Sequence, residues 1–457
     1  MSEYSITMLT HSSPRFLRSP TLRRGVPTLA LVAAGILVAP SEAFALQPLS
    51  EFVRAARSRN FDTREQAAVV AQRDDEARQA SWKLAPVVTA SGSYTNNQYA
   101  AIATIPVGNP ALGQTQSVTI MAQNQLDATF SATLPVVDIG AWERVGAARR
   151  TAIAARAQAS ATELDVQRSV AQAYFQVVAQ EAVLQSSNER RDTAQANLDF
   201  VRTRNSAGVA PELDLKRAAA ELESARQDVT EAEYQLRIAR RSLATIAGLD
   251  PSPGGFELSD DTSPEPPLDS FTVSSSNLPS VLAASETARA AERTVDSTRA
   301  GLYPTISATA TERLTNAPGF GQSPYYQLVG TATWRFDGSL IPQTSAADRA
   351  AEAARVREER ARREAEDALF NDYQAVVRQI EKTKSARAQR ESSALAANIA
   401  RQRYEAGTAN YLDVQTAARD DFAAMVALIQ ASADLAYARL ALHLAAGRRL
   451  DSGNGGR

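Results

Sequence analysis

Residues 208–215 read GVAPELDL and residues 407–414 read GTANYLDV. Each stretch opens with a glycine and carries an aspartate six residues later, Asp214 and Asp413. They lie 199 residues apart, and the same shift aligns the chain on either side of them. Asp138 meets Asp337, Tyr174 meets Tyr373, Val177-Val178 meets Val376-Val377, and Gly248 meets Gly447. Further upstream the shift grows to 218, where Ala85-Pro86 meets Tyr303-Pro304. The first copy therefore holds a longer loop, by 19 residues, between Pro86 and Asp138. Self-similarity at a fixed long period means two copies of one structural unit.

Each copy predicts the same order of elements. A leading helix (49–85 and 278–302) ends at a proline, and a two-strand region follows. Next come a long helix (139–206 and 343–405), the glycine turn, and a return helix (211–247 and 411–446). Proline, which breaks helix interiors, is almost absent from these segments. A helix over 139–206 would be about 100 Å long at 1.5 Å per residue. The first repeat thus occupies 46–249 and the second 278–447. Between them, 250–277 is a Pro/Ser/Asp-rich linker, with a short strand expected at Phe256-Glu257-Leu258. The tail 448–457 is expected to be disordered.

The return helices carry a heptad seam. Leu215, Leu222, Val229, Leu236 and Leu243 recur every seven residues, with Ala218, Ala225, Ala232, Ala239 and Ile246 three residues further on. The second copy gives Val414, Asp421, Leu428, Leu435 and Leu442, paired with Ala417, Ala424, Ala431, Ala438 and Ala445. A large residue alternating with alanine lets neighbouring helices approach closely. Asp421 interrupts the seam, either as a register device or as a polar contact.

The strand regions alternate with period two. Leu126, Ala128, Phe130, Ala132 and Leu134 share one face, and Asp127, Thr129, Ser131 and Thr133 the other. In the second copy Tyr326, Leu328, Gly330, Ala332, Trp334 and Phe336 oppose Gln327, Val329, Thr331, Thr333 and Arg335. Segments of about ten residues, apolar out and polar in, mark transmembrane β-barrels. Leu126, Phe130, Leu134, Leu328, Trp334 and Phe336 would then face lipid. Two soluble hairpins packed on a helical domain would show the same alternation. Four strands are too few to close a membrane barrel, so the barrel reading requires an oligomer.

Composition narrows the function. The 457 residues include no cysteine and two histidines, His11 and His443. Disulfides, thiolate metal sites and cysteine nucleophiles are excluded. No nucleophile–base or metal-ligand cluster stands out, so neither an enzyme nor a cofactor is expected. With 49 basic and 51 acidic residues there is no electrostatic footprint for nucleic acid. At the N-terminus, Arg15, Arg18, Arg23 and Arg24 precede an apolar run at 28–39 and Ala43-Phe44-Ala45. That pattern reads as a secretory signal peptide over 1–45.

Signal peptide, duplication, element order and the two glycine turns together resemble the TolC family of outer-membrane efflux and secretion channels. The resemblance covers about 46–447. It implies a fold that is mainly α with a transmembrane β portion: an internally duplicated long α-hairpin barrel plus four β-strands per chain. A homotrimer would form a 12-stranded barrel continued by a 12-helix periplasmic tunnel. The implied function is the exit duct of a tripartite efflux pump or type I secretion system. Its partners would be outer-membrane lipid, a periplasmic membrane-fusion (adaptor) protein and an inner-membrane pump. Docking would fall to the turn tips, Gly208, Gly407, Leu213 and Leu412. The family's constriction maps onto Asp413, and its closing contact onto Tyr404 and Asp214. A second constriction aspartate falls on Thr416 here, and a supplementary basic residue on Ala409. Asp214 and Asp413 equally suit the starts of return helices, where acidic groups complement the helix dipole. A periplasmic coiled-coil adaptor or scaffold is the alternative, but it would need a compact strand-rich block that the sequence does not show.

Overall fold

A computed structural model describes residues 46–108, 113–252, 254, 261–272 and 277–450. The expected signal peptide, the expected strand at 256–258 and residues 451–457 lie outside the described residues.

Two helices open the chain, α1 (Leu49–Arg59) and α2 (Phe61–Trp82). The continuous helix expected over 49–85 is therefore broken, and Asn60 is the reason. Its side-chain oxygen accepts from the backbone N–H groups of Asp62 and Thr63, at 2.9 and 3.3 Å, starting α2 afresh. Its amide nitrogen donates to the Ile246 carbonyl at 3.0 Å, and Arg59 donates to the Gly248 carbonyl at 2.8 Å. The break thus caps the far end of the return helix, α4 (Glu212–Ala247). Between them runs α3 (Ile139–Ser206), 68 residues without interruption. Asp138 starts it by accepting from the Ala141 N–H at 2.7 Å.

The strands of the first copy are β1 (Val87–Asn96) and β4 (Asn124–Val137). The longer loop between them is a hairpin of its own, β2 (Ala101–Pro106) and β3 (Thr115–Met121). Among the described residues there are thus four strands in one sheet and two more in another, not four in all. The second copy has a one-turn helix α5 (Asp269–Thr272) in the linker, then α6 (Pro279–Arg299) and strands β5 (Thr305–Thr315) and β6 (Tyr325–Thr333). Its long helix is α7 (Leu340–Glu405) and its return helix α8 (Tyr411–Ala445).

The main sheet is antiparallel, in the order β1-β4-β5-β6. Its register puts Tyr94 opposite Leu126, Ala90 opposite Phe130, Leu134 opposite Ala308, and Ala310 opposite Leu328. The apolar sides of all four strands thus share one face, which is exposed: Leu328 is 74% accessible. Glu312 interrupts that face between Phe130 and Tyr326. The opposite face is polar and carries the Asp127–Arg313 ion pair at 2.7 Å. The ladder ends at Thr305 and Thr333, because Pro304 before it has no N–H to donate. Trp334 and Phe336 therefore lie beyond β6 rather than within it as the alternation suggested. The Trp334 indole donates to the Leu302 carbonyl at 3.2 Å.

The heptad seam of α4 is buried from Ala218 to Leu243, and in α8 Val414, Ala424, Ala431, Leu435 and Leu442 are buried. Asp421, the interruption, meets Arg390 of α7 at 2.5 Å and is a polar contact. Tyr174, Phe52, Val170, Val177, Leu236 and Leu243 form one core where α1, α3 and α4 meet. A second core, of Phe271, Leu369, Val376, Ile380, Leu435 and Leu442, joins the linker to α7 and α8.

The junction at Gly248 gives a stability test. Its φ is +66°, and an added Cβ would lie 2.6 Å from the Arg59 Cβ. Gly248→Ala should lower the thermal midpoint by more than Gly208→Ala, whose φ is +72° but whose added methyl meets nothing. The second change costs left-handed backbone strain alone, about 1–2 kcal/mol. Equal shifts in thermal unfolding of the two variants would remove the Arg59 contact from the account.

Candidate functional site: the turn end of the helical hairpins

Gly208 and Gly407 (φ +75°) each close a turn between a long helix and its return helix. Both take the left-handed conformation that glycine reaches without a Cβ penalty. Asn205 stiffens the first turn, its amide donating to the Ala210 carbonyl at 2.8 Å. In the second turn Asn410 and Asp413 form a reciprocal capping box. The Asp413 N–H donates to the Asn410 side chain at 3.0 Å, and the Asn410 N–H to the Asp413 carboxylate at 3.4 Å. Asp413 is exposed, as are Leu213 and Leu412.

Asp214 is placed differently. It is 8% exposed, and the hydroxyl of Tyr404, itself 8% exposed, donates to it at 3.4 Å. Of the three residues singled out for a gate, the structure joins these two and leaves Asp413 apart. Tyr404 sits against Phe200 and Tyr411, with ring centroids 6.4 and 5.5 Å away. Tyr404 and Tyr411 belong to a core shared by α3, α4, α7 and α8, with Leu198, Val201, Leu222 and Val414, while Phe200 stays exposed at its edge. The hairpins are thus bonded to each other at this end through packed apolar groups and one buried polar contact. Burial pushes the Tyr404 hydroxyl pKa up, and the Asp214 charge adds to it. Burial likewise raises Tyr411 to about 12, reinforced by Glu221.

Two further residues join the hairpins and were not singled out from sequence. Arg204, in the last turn of α3, donates to the carbonyls of Tyr404 and Glu405 at 3.3 and 3.1 Å. These are terminal carbonyls of α7, and that of Tyr404 also accepts from the Gly407 N–H at 3.0 Å. The guanidinium also lies over the rings of Phe200 and Tyr404, 5.6 and 5.5 Å from their centroids. Glu221 of α4 is 5% exposed and takes bonds from both hairpins. Burial works to raise its pKa. Hydrogen bonds from Gln415 and Arg190 and the charges of Arg190 and Arg419 outweigh it, so the carboxyl sits below its ordinary value. A signal for it was present: Asp214, Glu221 and Asp228 recur every seven residues, one position before the seam. At the strand end, Trp82, Tyr303, Trp334 and Phe336 are all exposed where helices give way to strands. Among the described residues no group of three or more histidine or carboxylate side chains is arranged to hold a metal.

A helical pair of this length is duplicated in the chain and joined to an antiparallel sheet with an exposed apolar face. The chain belongs to the outer membrane efflux protein family, which matches residues 52–249 and 274–448. Its place is accordingly the outer membrane of a Gram-negative cell. The fold is similar to that of the Campylobacter jejuni CmeC outer membrane channel: TM-score 0.72 and 17% identity, over 94% of each chain. The Vibrio cholerae outer membrane protein VceC gives 0.71 and 18%, covering 88% of this chain and 97% of that one. In sequence, the chain is 24% identical over 301 residues to the fusaric acid resistance protein FusA of Burkholderia cepacia. That match spans 61% of this chain and 54% of FusA.

The buried tyrosines set the alkaline limit of the turn end. Raised from 10.0, the Tyr411 pKa stabilises the fold fully below pH 10 and progressively less as pH rises towards about 12. Tyr411→Phe should flatten the loss of thermal stability across that window. An identical alkaline profile in variant and parent would show that the ring is not buried as described.

Proposed function

We propose that the chain is the exit duct of a tripartite efflux pump or type I secretion system, working as a homotrimer. Three four-stranded sheets would close a 12-stranded barrel in the outer membrane, and the paired helices would continue it as a 12-helix periplasmic tunnel. The observation that carries this reading is the sheet itself. Its two edges, β1 and β6, are unpaired within the chain, and its outer face is apolar and exposed. Backbone groups in lipid must be paired, and neighbouring copies supply the missing partners. On this reading Leu126, Phe130, Leu134 and Leu328 meet lipid, and Trp82, Tyr303, Trp334 and Phe336 form the inner aromatic girdle.

The turn end is the periplasmic gate, closed by the Tyr404–Asp214 contact. Asp413 of each copy lines the constriction, while Gly208, Leu213, Gly407 and Leu412 meet a membrane-fusion adaptor that links the duct to an inner-membrane pump. Fusaric acid is the first cargo to test, given the name of the relative FusA. A strain lacking the gene should accumulate it and regain export when the gene is restored. Unchanged accumulation would send the search to other cargo. A purified protein that forms no ion-conducting pore in planar bilayers would reject the duct.

Two sets of variants test the assignment. Leu328→Arg should block assembly of the heat-sensitive oligomer, because arginine on a lipid face costs about 2–4 kcal/mol in each copy. Thr331→Arg, on the polar face, should assemble; equal effects would mean that the faces are misassigned. In single-channel recordings Tyr404→Phe or Asp214→Asn should raise conductance. Asp413→Asn should instead weaken cation preference, since a ring of carboxylates at a narrow point favours cations. If Asp413→Asn leaves the reversal potential unchanged, the residue serves only its capping box.

A further inference from the structure

Glu221 lies 13 residues beyond Gly208 and nine beyond the first residue of α4, about 14 Å up that helix. Its two carboxylate oxygens divide between the hairpins. Oε1 accepts from Arg190 Nη2 of α3 at 2.6 Å, within its own hairpin. Oε2 accepts from Gln415 Nε2 at 2.9 Å and Arg419 Nε at 3.2 Å, both on α8 of the other hairpin. Arg190 reaches the same helix, its guanidinium lying 4.8 Å from the centre of the Phe422 ring. It is also bonded to Asp228, one heptad beyond Glu221.

The packing at this height differs from that at the turn. Nearer the turn, Tyr404, Tyr411 and Val414 share an apolar core with Val201 and Ala218 of the first hairpin. Here a cavity of about 180 Å³ opens between them, lined by Arg190, Glu221, Arg390, Arg401, Asp421 and Phe422. The Nε atoms of Arg190 and Arg390 are buried without a hydrogen-bond partner. The hydrogen bonds that join α8 to the first hairpin at this level meet at Glu221.

We propose that Glu221 is a second latch between the hairpins, set above the turn contact, whose bonds to Gln415 and Arg419 must part before α7 and α8 can move away from α3 and α4. The proposal rests on the reading of the turn end as a gate. Glu221 acts in it as a positioning residue, holding α8 without facing the permeating species. One carboxylate serves both hairpins, so the Arg190 side can persist while the α8 side releases. The latch can then reopen and close without scattering the first hairpin.

The test compares Glu221→Gln with Glu181→Gln in the full chain. Glu181 is a matched control: it accepts from Arg240 Nη2 at 2.7 Å, joining α3 to α4 inside the first hairpin only. Two readouts are taken, single-channel conductance and amide hydrogen exchange over residues 411–419 in the detergent-solubilised protein. Glu221→Gln should raise conductance severalfold and speed exchange over 411–419, and Glu181→Gln should do neither. Should Glu221→Gln fail to fold, Arg419→Gln removes the charged one of the two α8 donors and leaves the Arg190 side intact, at a residue that is more than half exposed, and should speed the same exchange. Unchanged exchange over 411–419, or equal acceleration by Glu181→Gln, overturns the latch. If exchange responds but no protein conducts ions, the clamp stands and the duct reading falls.

Discussion

Along α4 a large residue and an alanine alternate at heptad spacing, and that alternation sets how near α3 and α4 can run. The alanines Ala218, Ala225, Ala232 and Ala239 are all buried, as are Leu222, Val229, Leu236 and Leu243. Close approach along this line requires helices without kinks, which the proline-free α3 supplies. It also decides where the acidic stripe goes. Asp214, Glu221 and Asp228 stand one position before the seam, at the margin of the packed surface rather than in open solvent. Carboxylates there lose water and must find donors. They find them on Tyr404, Arg190, Gln415 and Arg419, so the spacing that packs one hairpin also aims the polar groups that join it to the other.

The sheet imposes the second constraint. Four strands leave one free edge on β1 and one on β6, and each edge is a row of unpaired backbone donors and acceptors. In hydrocarbon such rows are costly, which makes the isolated chain an incomplete unit on the side where the strands lie. Helix α2 points the same way: none of its 22 residues is buried within the chain. Its half-buried valines and exposed charged groups leave a surface that a neighbour could cover, much as the strand edges do.

Much of this was legible in the sequence. The bounds of α3 and the duplication followed from the positions of glycine, proline and the heptads. The faces of β1, β4, β5 and β6 followed from period-two alternation. At Asn60 only the local half of the break was legible, an asparagine suited to cap a helix start; the bond that fixes it there goes to a carbonyl 186 residues away in sequence. The hairpin β2–β3 was read as loop because it is short and rich in Ala, Gln and Thr, without sharp alternation. At the turn end, Asp214 and Asp413 look alike in sequence. Only the fold separates them: Asp214 is buried under Tyr404, whereas Asp413 closes a local cap. Glu221 was readable in principle from the seven-residue stripe, but a carboxylate beside a heptad seam is ordinarily a solvated one.

Open space around the turn glycines has a consequence for how such a chain can change. Nothing lies within 4 Å of the Cβ position at Gly208 or Gly407, and both turn conformations are set by the backbone and by asparagine caps. The protruding side chains of Val209, Leu213, Thr408 and Leu412 are therefore free of the core. They can be exchanged, singly or as a block, without repacking the aromatic cluster beneath. On the proposed reading of these tips as a docking surface, structure and recognition occupy separate residues within a single tight bend. A lineage could then transfer its allegiance from one docking partner to another by drift at a few surface positions while the sheet, the seam and the buried contacts stay as they were.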